Sequence, residues 1–322
     1  MELREQQAPS PQPEQRERKL ADPGLTDLSA QDYKAILVRA GKQSLAHGIT
    51  DLAAALAYYS FLAIPAVLLV AVGLFSLFAS GDAIATLIDK LGTVVPSQAT
   101  QLLEDSLRRM NENKSGSLVM VVVGFVLAAW TTTGAMTSFM RAVNRAYDRG
   151  ETRGFLRQRA VAVQMVVAMA VAFILVFGLL VLGPVMSDWI GNALDIENAS
   201  GWVWWVAQWP ILIAGLLAVF ATVLYLAPNV DRPPWRFLTP GAVFAVAVWL
   251  LASGLFAVYT AMFSSYNKTW GSLAAVIVML TWLWLTGVAL LLGAEINAEV
   301  ERSRELRQGQ PAERRIQAPA RA

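Results

Sequence analysis

The sequence contains no cysteine and only one histidine, His47. Without thiols there is no disulfide framework, no thiolate metal site and no cysteine nucleophile. A zinc site or a Ser-His-Asp triad would have to be assembled around a single imidazole, so no catalytic residue, metal or cofactor is assigned. Charge is scarce as well: Asp, Glu, Lys and Arg make up 16% of 322 residues, against 56% hydrophobic residues and a mean hydropathy of +0.47. A chain this apolar is not an ordinary soluble domain, and the expected solvent for most of it is lipid.

What charge there is lies at the ends of long neutral stretches. Six windows carry no formal charge: 52–81, 115–140, 160–187, 198–230, 237–267 and 269–294. Each exceeds the ~20 residues that cross a ~30 Å hydrocarbon core. The expected fold is therefore all-α, a polytopic bundle of six transmembrane helices at about 53–78, 117–140, 161–186, 203–226, 241–263 and 272–294, within a membrane domain at 49–300. The first apolar run begins some fifty residues in and is too long for a cleaved signal peptide, so it should serve as an uncleaved anchor.

Lys and Arg set the expected orientation. The N-terminal segment, the segments between spans two and three and between spans four and five, and the C-terminal segment together hold 21 of them, and the opposite side holds 5. The positive-inside rule then places both termini in the cytoplasm of a bacterial inner membrane. Trp202, Trp204, Trp205 and Trp209 cluster where the fourth span would enter from the outer interface, and Trp235 marks an inner one.

Outside the spans, residues 1–31 have the Pro-, Gln-, Glu- and Arg-rich composition of a disordered cytoplasmic tail. Residues 32–48 place Tyr33, Ile36, Leu37, Ala40 and Leu45 at helical spacing opposite Lys34, Arg39 and Lys42, which predicts an amphipathic interfacial helix. The outer loop between spans one and two reads as two short helices, one with the stripe Ile84, Leu87, Ile88 and Leu91, the other with Leu102, Leu103, Leu107 and Met110. Residues 301–322 form a charged cytoplasmic tail.

Ionisable groups near bilayer depth are the first functional candidates. Asp51 opens the first span, where the helix dipole by itself accounts for a carboxylate. Glu295 is harder to explain. The run from Leu290 to Asn297 has no helix breaker, so this acid lies near a C-terminal end, gains nothing from the dipole and needs a cation or water; Arg141 and Arg145 are the expected partners. It is either half of a structural inter-helix pair or a gate. Thr131 and Thr132 sit mid-membrane in the second span, followed by Asn144. Their hydroxyls either bond back to their own helix or line a cavity. Pro65 should kink the first span one turn after Tyr58 and Tyr59. Trp249, Trp282 and Trp284 lie away from the interfaces and their indole N–H groups need acceptors. The turn before the sixth span carries Tyr266, Asn267, Trp270 and Gly271, either a tight interfacial turn or a polar entrance to a cavity.

Several of these stretches resemble the YihY/virulence factor BrkB family of bacterial inner-membrane proteins. They are Ala53 to Ser60, Tyr225-Leu226-Ala227-Pro228-Asn229, Pro240-Gly241-Ala242, Ser264 to Asn267 followed by Trp270-Gly271-Ser272-Leu273, and Gly293-Ala294-Glu295-Ile296-Asn297. The resemblance covers about residues 45–299, and Trp270 stands where the family often has Tyr. It implies a six-helix inner-membrane protein, in a family whose members have carried a ribonuclease label or been linked to envelope properties and to transport of lipids or small solutes.

Three functions are expected on these grounds. A transporter or flippase-like permease for a lipid, envelope precursor or small amphiphilic solute suits Glu295, the hydroxyls, the indoles and Pro65, and expects a cavity between spans one, two, five and six. A structural or scaffolding protein of the cell envelope would work through its tails. A ribonuclease is the weakest fit, since no acid or His cluster suits metal and phosphate in water. The basic residues between spans two and three are explained by topology. The expected partners are thus membrane lipids and a lipid or small-solute substrate, with no nucleic acid and no oligomeric state assigned.

Overall fold

A backbone in hydrocarbon has no water to bond, so a long apolar segment satisfies its own N–H and C=O groups as helix. The computed structural model describes residues 30–78, 114–194, 197–231, 238–262, 272–312 and 316–317. Every regular element among them is an α-helix: α1 Ala30–Ala46, α2 Ile49–Phe78, α3 Lys114–Ala146, α4 Phe155–Leu194, α5 Glu197–Leu226, α6 Pro240–Met262 and α7 Ser272–Arg307. Six of these, α2 to α7, are long and apolar enough to cross a membrane. The expected outer-loop helices, Trp235 and the turn with Tyr266, Asn267, Trp270 and Gly271 lie outside the described residues.

The most extensive packing is between α2 and α3, α6 and α7, and α4 and α5, while α7 also meets α1, α2, α3 and α5. It is the central helix of the bundle. Burial gathers at one end, where Ile49 and Ala53 of α2, Met140 and Val143 of α3, Leu224 of α5, Ala242 of α6 and Leu291 and Ala294 of α7 form one cluster. Farther along the spans, Val122, Val126, Leu251, Leu255 and Ile277 are exposed apolar side chains, the surface a lipid-facing helix presents. α1 buries Ile36 and Ala40 against Ile296, with Tyr33, Phe244 and Val300 packed alongside, so this edge of the amphipathic helix is covered by protein.

Two helix ends shape the polar end of the bundle. After α3, Asp148 takes a left-handed conformation (φ 52), its N–H bonding the Arg145 carbonyl at 3.0 Å while Arg149 N–H bonds the Asn144 carbonyl at 2.9 Å. This double bond is a Schellman stop, and it uses Asp where glycine is usual. α7 runs on past the apolar span to Arg307 and ends on the same motif with Gly309 (φ 76). Beyond it Ala312 and Ile316 are buried, which ties part of the expected tail into the core.

Candidate functional site

The charged end of the bundle holds a continuous polar network centred on α7. Glu295, Glu299 and Arg302 recur at i, i+4 and i+7, so they share one face, and each is at least 95% buried. Buried ions are costly unless paired and hydrogen-bonded, and most of this face is. Glu299 accepts from Arg39 Nε at 2.7 Å and from Arg302 Nε at 2.9 Å. Arg302 donates in addition to Asp148 Oδ2 at 2.7 Å and to the Ala312 carbonyl at 2.9 Å, joining α7 to the turn after α3 and to the C-terminal segment. Glu305 Oε2 accepts from the backbone N–H of Gln317 at 2.7 Å.

Glu295 differs from the others. His47 Nδ1 lies 2.7 Å from its Oε1, and its Oε2 is buried with no hydrogen-bond partner among the described residues. The expected cations do not reach it: Arg145 Nη1 donates to the His47 carbonyl at 3.3 Å and Arg141 Nη2 to Ser138 Oγ at 2.9 Å. The partner is the single histidine, carried by the two-residue elbow between α1 and α2, where Gly48 takes a left-handed conformation (φ 64).

The hydrogen bond to Glu295 raises the His47 pKa above its ordinary value. Burial works against the shift, as does Arg145, while the charges of Glu295 and Asp148 add to it. A raised folded-state pKa means that the stabilisation is fully present below about pH 6.5 and is lost as pH rises through the higher folded value. Melting curves of wild type and His47→Gln should therefore differ most near pH 6 and converge on the alkaline side. A gap that stayed constant or widened with pH would contradict the charged pair.

A second cluster surrounds Asn144. Its Oδ1 accepts from the backbone N–H of Asn229 at 2.7 Å and its Nδ2 donates to Glu151 Oε2 at 2.9 Å. Asn229, fully buried, also donates to Thr152 Oγ1 at 2.6 Å, and Arg153 grips Glu151 and the Ala227 carbonyl. Burial opposes ionisation of Glu151, yet the bonds from Arg153 and Asn144 outweigh it and hold its carboxyl below the usual range.

Between the two clusters lies an open cleft of about 510 Å³, bounded by His47, Arg141, Asn144 and Arg145 on one side and by the 148–151 turn on the other. Neither α6 nor α7 lines it, unlike the expected cavity between spans one, two, five and six.

The remaining candidates among the described residues lie away from this network and the cleft. Thr131 and Thr132 bond back to the Leu127 and Ala128 carbonyls at 2.8 and 2.5 Å. Trp282 donates to Ser253 Oγ at 3.4 Å and meets Trp249 edge to face, while Trp249 and Trp284 donate to Thr286 Oγ1 and the Thr50 carbonyl, each at 3.0 Å. Thirteen residues separate Trp282 from Glu295, about 20 Å along α7, so the two belong to different regions. Asn297 Oδ1 accepts from Gly241 N–H at 2.9 Å, pinning α6 to α7. Asp51 lies exposed in the first turn of α2, and Tyr58 and Tyr59 are exposed, edge to face at 5.8 Å. Pro65 sits within an uninterrupted α2.

Asp148, Arg149, Glu151, Glu299 and Arg302 are not singled out by sequence reasoning, and His47 enters it only as the single imidazole available to a zinc site or triad. The i, i+4, i+7 spacing on α7 was the available signal for Glu299 and Arg302. Nothing local marks His47 as the partner of a residue 248 positions away.

A family model described as virulence factor BrkB matches residues 40–317. The chain is 34% identical over 225 residues to the Bacillus subtilis protein YfkH, which carries a ribonuclease-like name; the match covers 68% of this chain and 79% of that protein. It is 27% identical over 276 residues to a UPF0761 membrane protein of Aromatoleum aromaticum and 26% identical over 273 residues to one of Stenotrophomonas maltophilia. Each of these matches takes in 82% of this chain but 64% and 59%, respectively, of the relative's length. No solved structure matches.

Proposed function

The chain belongs to the virulence factor BrkB family of membrane proteins, and from that premise we propose that it is a permease or flippase-like transporter. Its cargo would be a lipid, an envelope precursor or a small amphiphilic solute, carried across the bacterial inner membrane. The observation that carries this reading is Glu295: a carboxylate on the central spanning helix, nearly fully buried, with one oxygen on His47 and the other on no partner among the described residues. A buried acid left half-satisfied costs stability, and ionisable groups at membrane depth on a bundle interior mark gates and coupling sites. Its partner sits on the elbow beside the cleft, so a change of charge at Glu295 is felt at the cleft wall. The Lys and Arg distribution supports placing this end, and both termini, in the cytoplasm.

The test is reconstitution of the purified chain into vesicles and measurement of lipid scrambling and amphiphile efflux. Glu295→Gln, similar in size and still able to hydrogen-bond His47, should slow movement by about tenfold or more, the effect of losing one charged hydrogen bond. Equal rates would remove Glu295 from the mechanism, and no movement above protein-free vesicles would remove the permease. In this reading the chain is not an enzyme; RNA cleavage by the same preparation, lost in Asp51→Asn or Glu295→Gln, would reverse that. A scaffold would fail on trimming the tails, but the trim must begin after residue 317, because Ala312, Ile316 and Gln317 belong to the packed end.

A further inference from the structure

Three arginines face the cleft, and none has a carboxylate partner among the described residues. Arg141 reaches Ser138 Oγ and Arg145 the His47 carbonyl, while Arg149 Nε is buried without a hydrogen-bond partner among the described residues. A buried guanidinium nitrogen left unsatisfied points to an acceptor that completes it. The two acids of the same wall are already neutralised, Asp148 by Arg302 at 2.7 Å and Glu151 by Arg153 at 2.8 Å. The cleft is thus left with net positive charge supplied by groups that no carboxylate of the described residues compensates.

Topology alone does not demand this arrangement. The positive-inside rule asks for Lys and Arg at this end of the bundle and is indifferent to where they point. Arg153, Arg157, Arg159 and Arg302 meet it without lining the cleft. Arg141 and Arg145 stand one turn apart, a like-charge spacing that destabilises a helix. Arg149 is brought to the same opening by the left-handed turn at Asp148. The three guanidinium groups nonetheless converge on one cavity. Planar guanidinium forks match the oxygens of phosphate, and about 510 Å³ falls within the size range of small-ligand sites. The cleft lies at the end of α3, whose Leu127 and Trp130 are exposed about 16–21 Å along the helix from Arg141, so an acyl chain could lie against that helix while its headgroup occupied the cleft.

Building on the permease reading, we propose that the cleft is a phosphate subsite in which Arg141, Arg145 and Arg149 hold the phosphate group of an amphiphile or of a soluble phosphate compound. The test is binding, not movement. The full chain in phosphatidylcholine nanodiscs is titrated with phosphatidic acid carrying a fluorescent acyl chain, and separately with inorganic phosphate by calorimetry. Saturable binding is expected, weakened about tenfold or more in Arg149→Gln and less in Arg149→Lys. Arg157→Gln removes the same charge outside the cleft and should change affinity by less than about twofold. The Arg149 side chain forms no ion pair among the described residues and its Nε bonds nothing, so its variants should melt like wild type. Arg141→Gln provides an independent second variant.

Binding of phosphatidic acid that inorganic phosphate cannot displace would assign the site to a lipid headgroup. Binding of inorganic phosphate itself, competing with the lipid, would assign it to a soluble anion. Absence of both, or equal losses in Arg157→Gln and Arg149→Gln, overturns the subsite. Binding without movement in the vesicle assay would keep the subsite and remove the permease, whereas movement without binding would do the reverse.

Discussion

Arg302→Met should lower the stability of the protein by about 3–5 kcal/mol, the cost of removing one partner from a buried ion pair. The side chain is 4% exposed as a residue and spends all three of its nitrogens, on Glu299, Asp148 and the Ala312 carbonyl. Without it Glu299 keeps Arg39 but loses its second cation, Asp148 loses its ion pair, and the C-terminal segment loses its hydrogen-bond anchor. Replacing Glu299 as well, in Arg302→Met with Glu299→Leu, should restore much of the loss, because Arg39 is 41% exposed in its side chain and can return to water. Tryptophan-fluorescence melting in detergent distinguishes the three proteins. A single variant melting within about a degree of wild type would mean that the network contributes little. A double variant no better than the single would mean that the loss comes from the Ala312 and Asp148 contacts.

Gly241→Ala should cost about 3 kcal/mol, at the upper end of what overpacking does. A Cβ at this position would overlap the Gly293 carbonyl oxygen and lie 2.5 Å from Asn297 Cγ. The nearest obstacle is backbone, so relief requires α6 and α7 to separate, which also stretches the 2.9 Å bond from Gly241 N–H to Asn297. Gly293→Ala meets the reciprocal contact, 2.6 Å to the Gly241 carbonyl oxygen. Close backbone approach through small residues is how helices associate in lipid, where apolar burial between them offers little. Two further glycines grade the effect: Gly287→Ala meets Ala53 at 3.2 Å and should be mild, and Gly134→Ala meets nothing within 4 Å and should be neutral or slightly stabilising. Melting midpoints ordered otherwise would contradict the α6–α7 contact.

The candidate site was legible only in part. Glu295 was visible as an acid that no dipole explains, and its helix was expected to continue without a breaker, as α7 does to Arg307. Its partner was not. Arg141 and Arg145 stood at the correct end of α3, but which group meets Glu295 depends on how α3 and α7 are rotated about their axes, and each residue step turns a side chain through about 100°. Rotation put His47 there instead. The threonines illustrate the opposite case, since a hydroxyl can reach the carbonyl one turn back in any helix, and Thr131 and Thr132 do so whatever surrounds them.

By itself the sequence determined that the chain is helical and crosses a membrane six times, because both depend on the apolar content of consecutive residues, a sum over neighbours in the chain. It also marked Gly241 and Gly293 within recognisable stretches. Only the tertiary structure decided that these two glycines touch, that Glu295 faces His47, and that three arginines without acidic partners among the described residues open onto one cleft. Those facts rest on the relative rotation and register of helices far apart in sequence, and packing sets such relations where local composition does not.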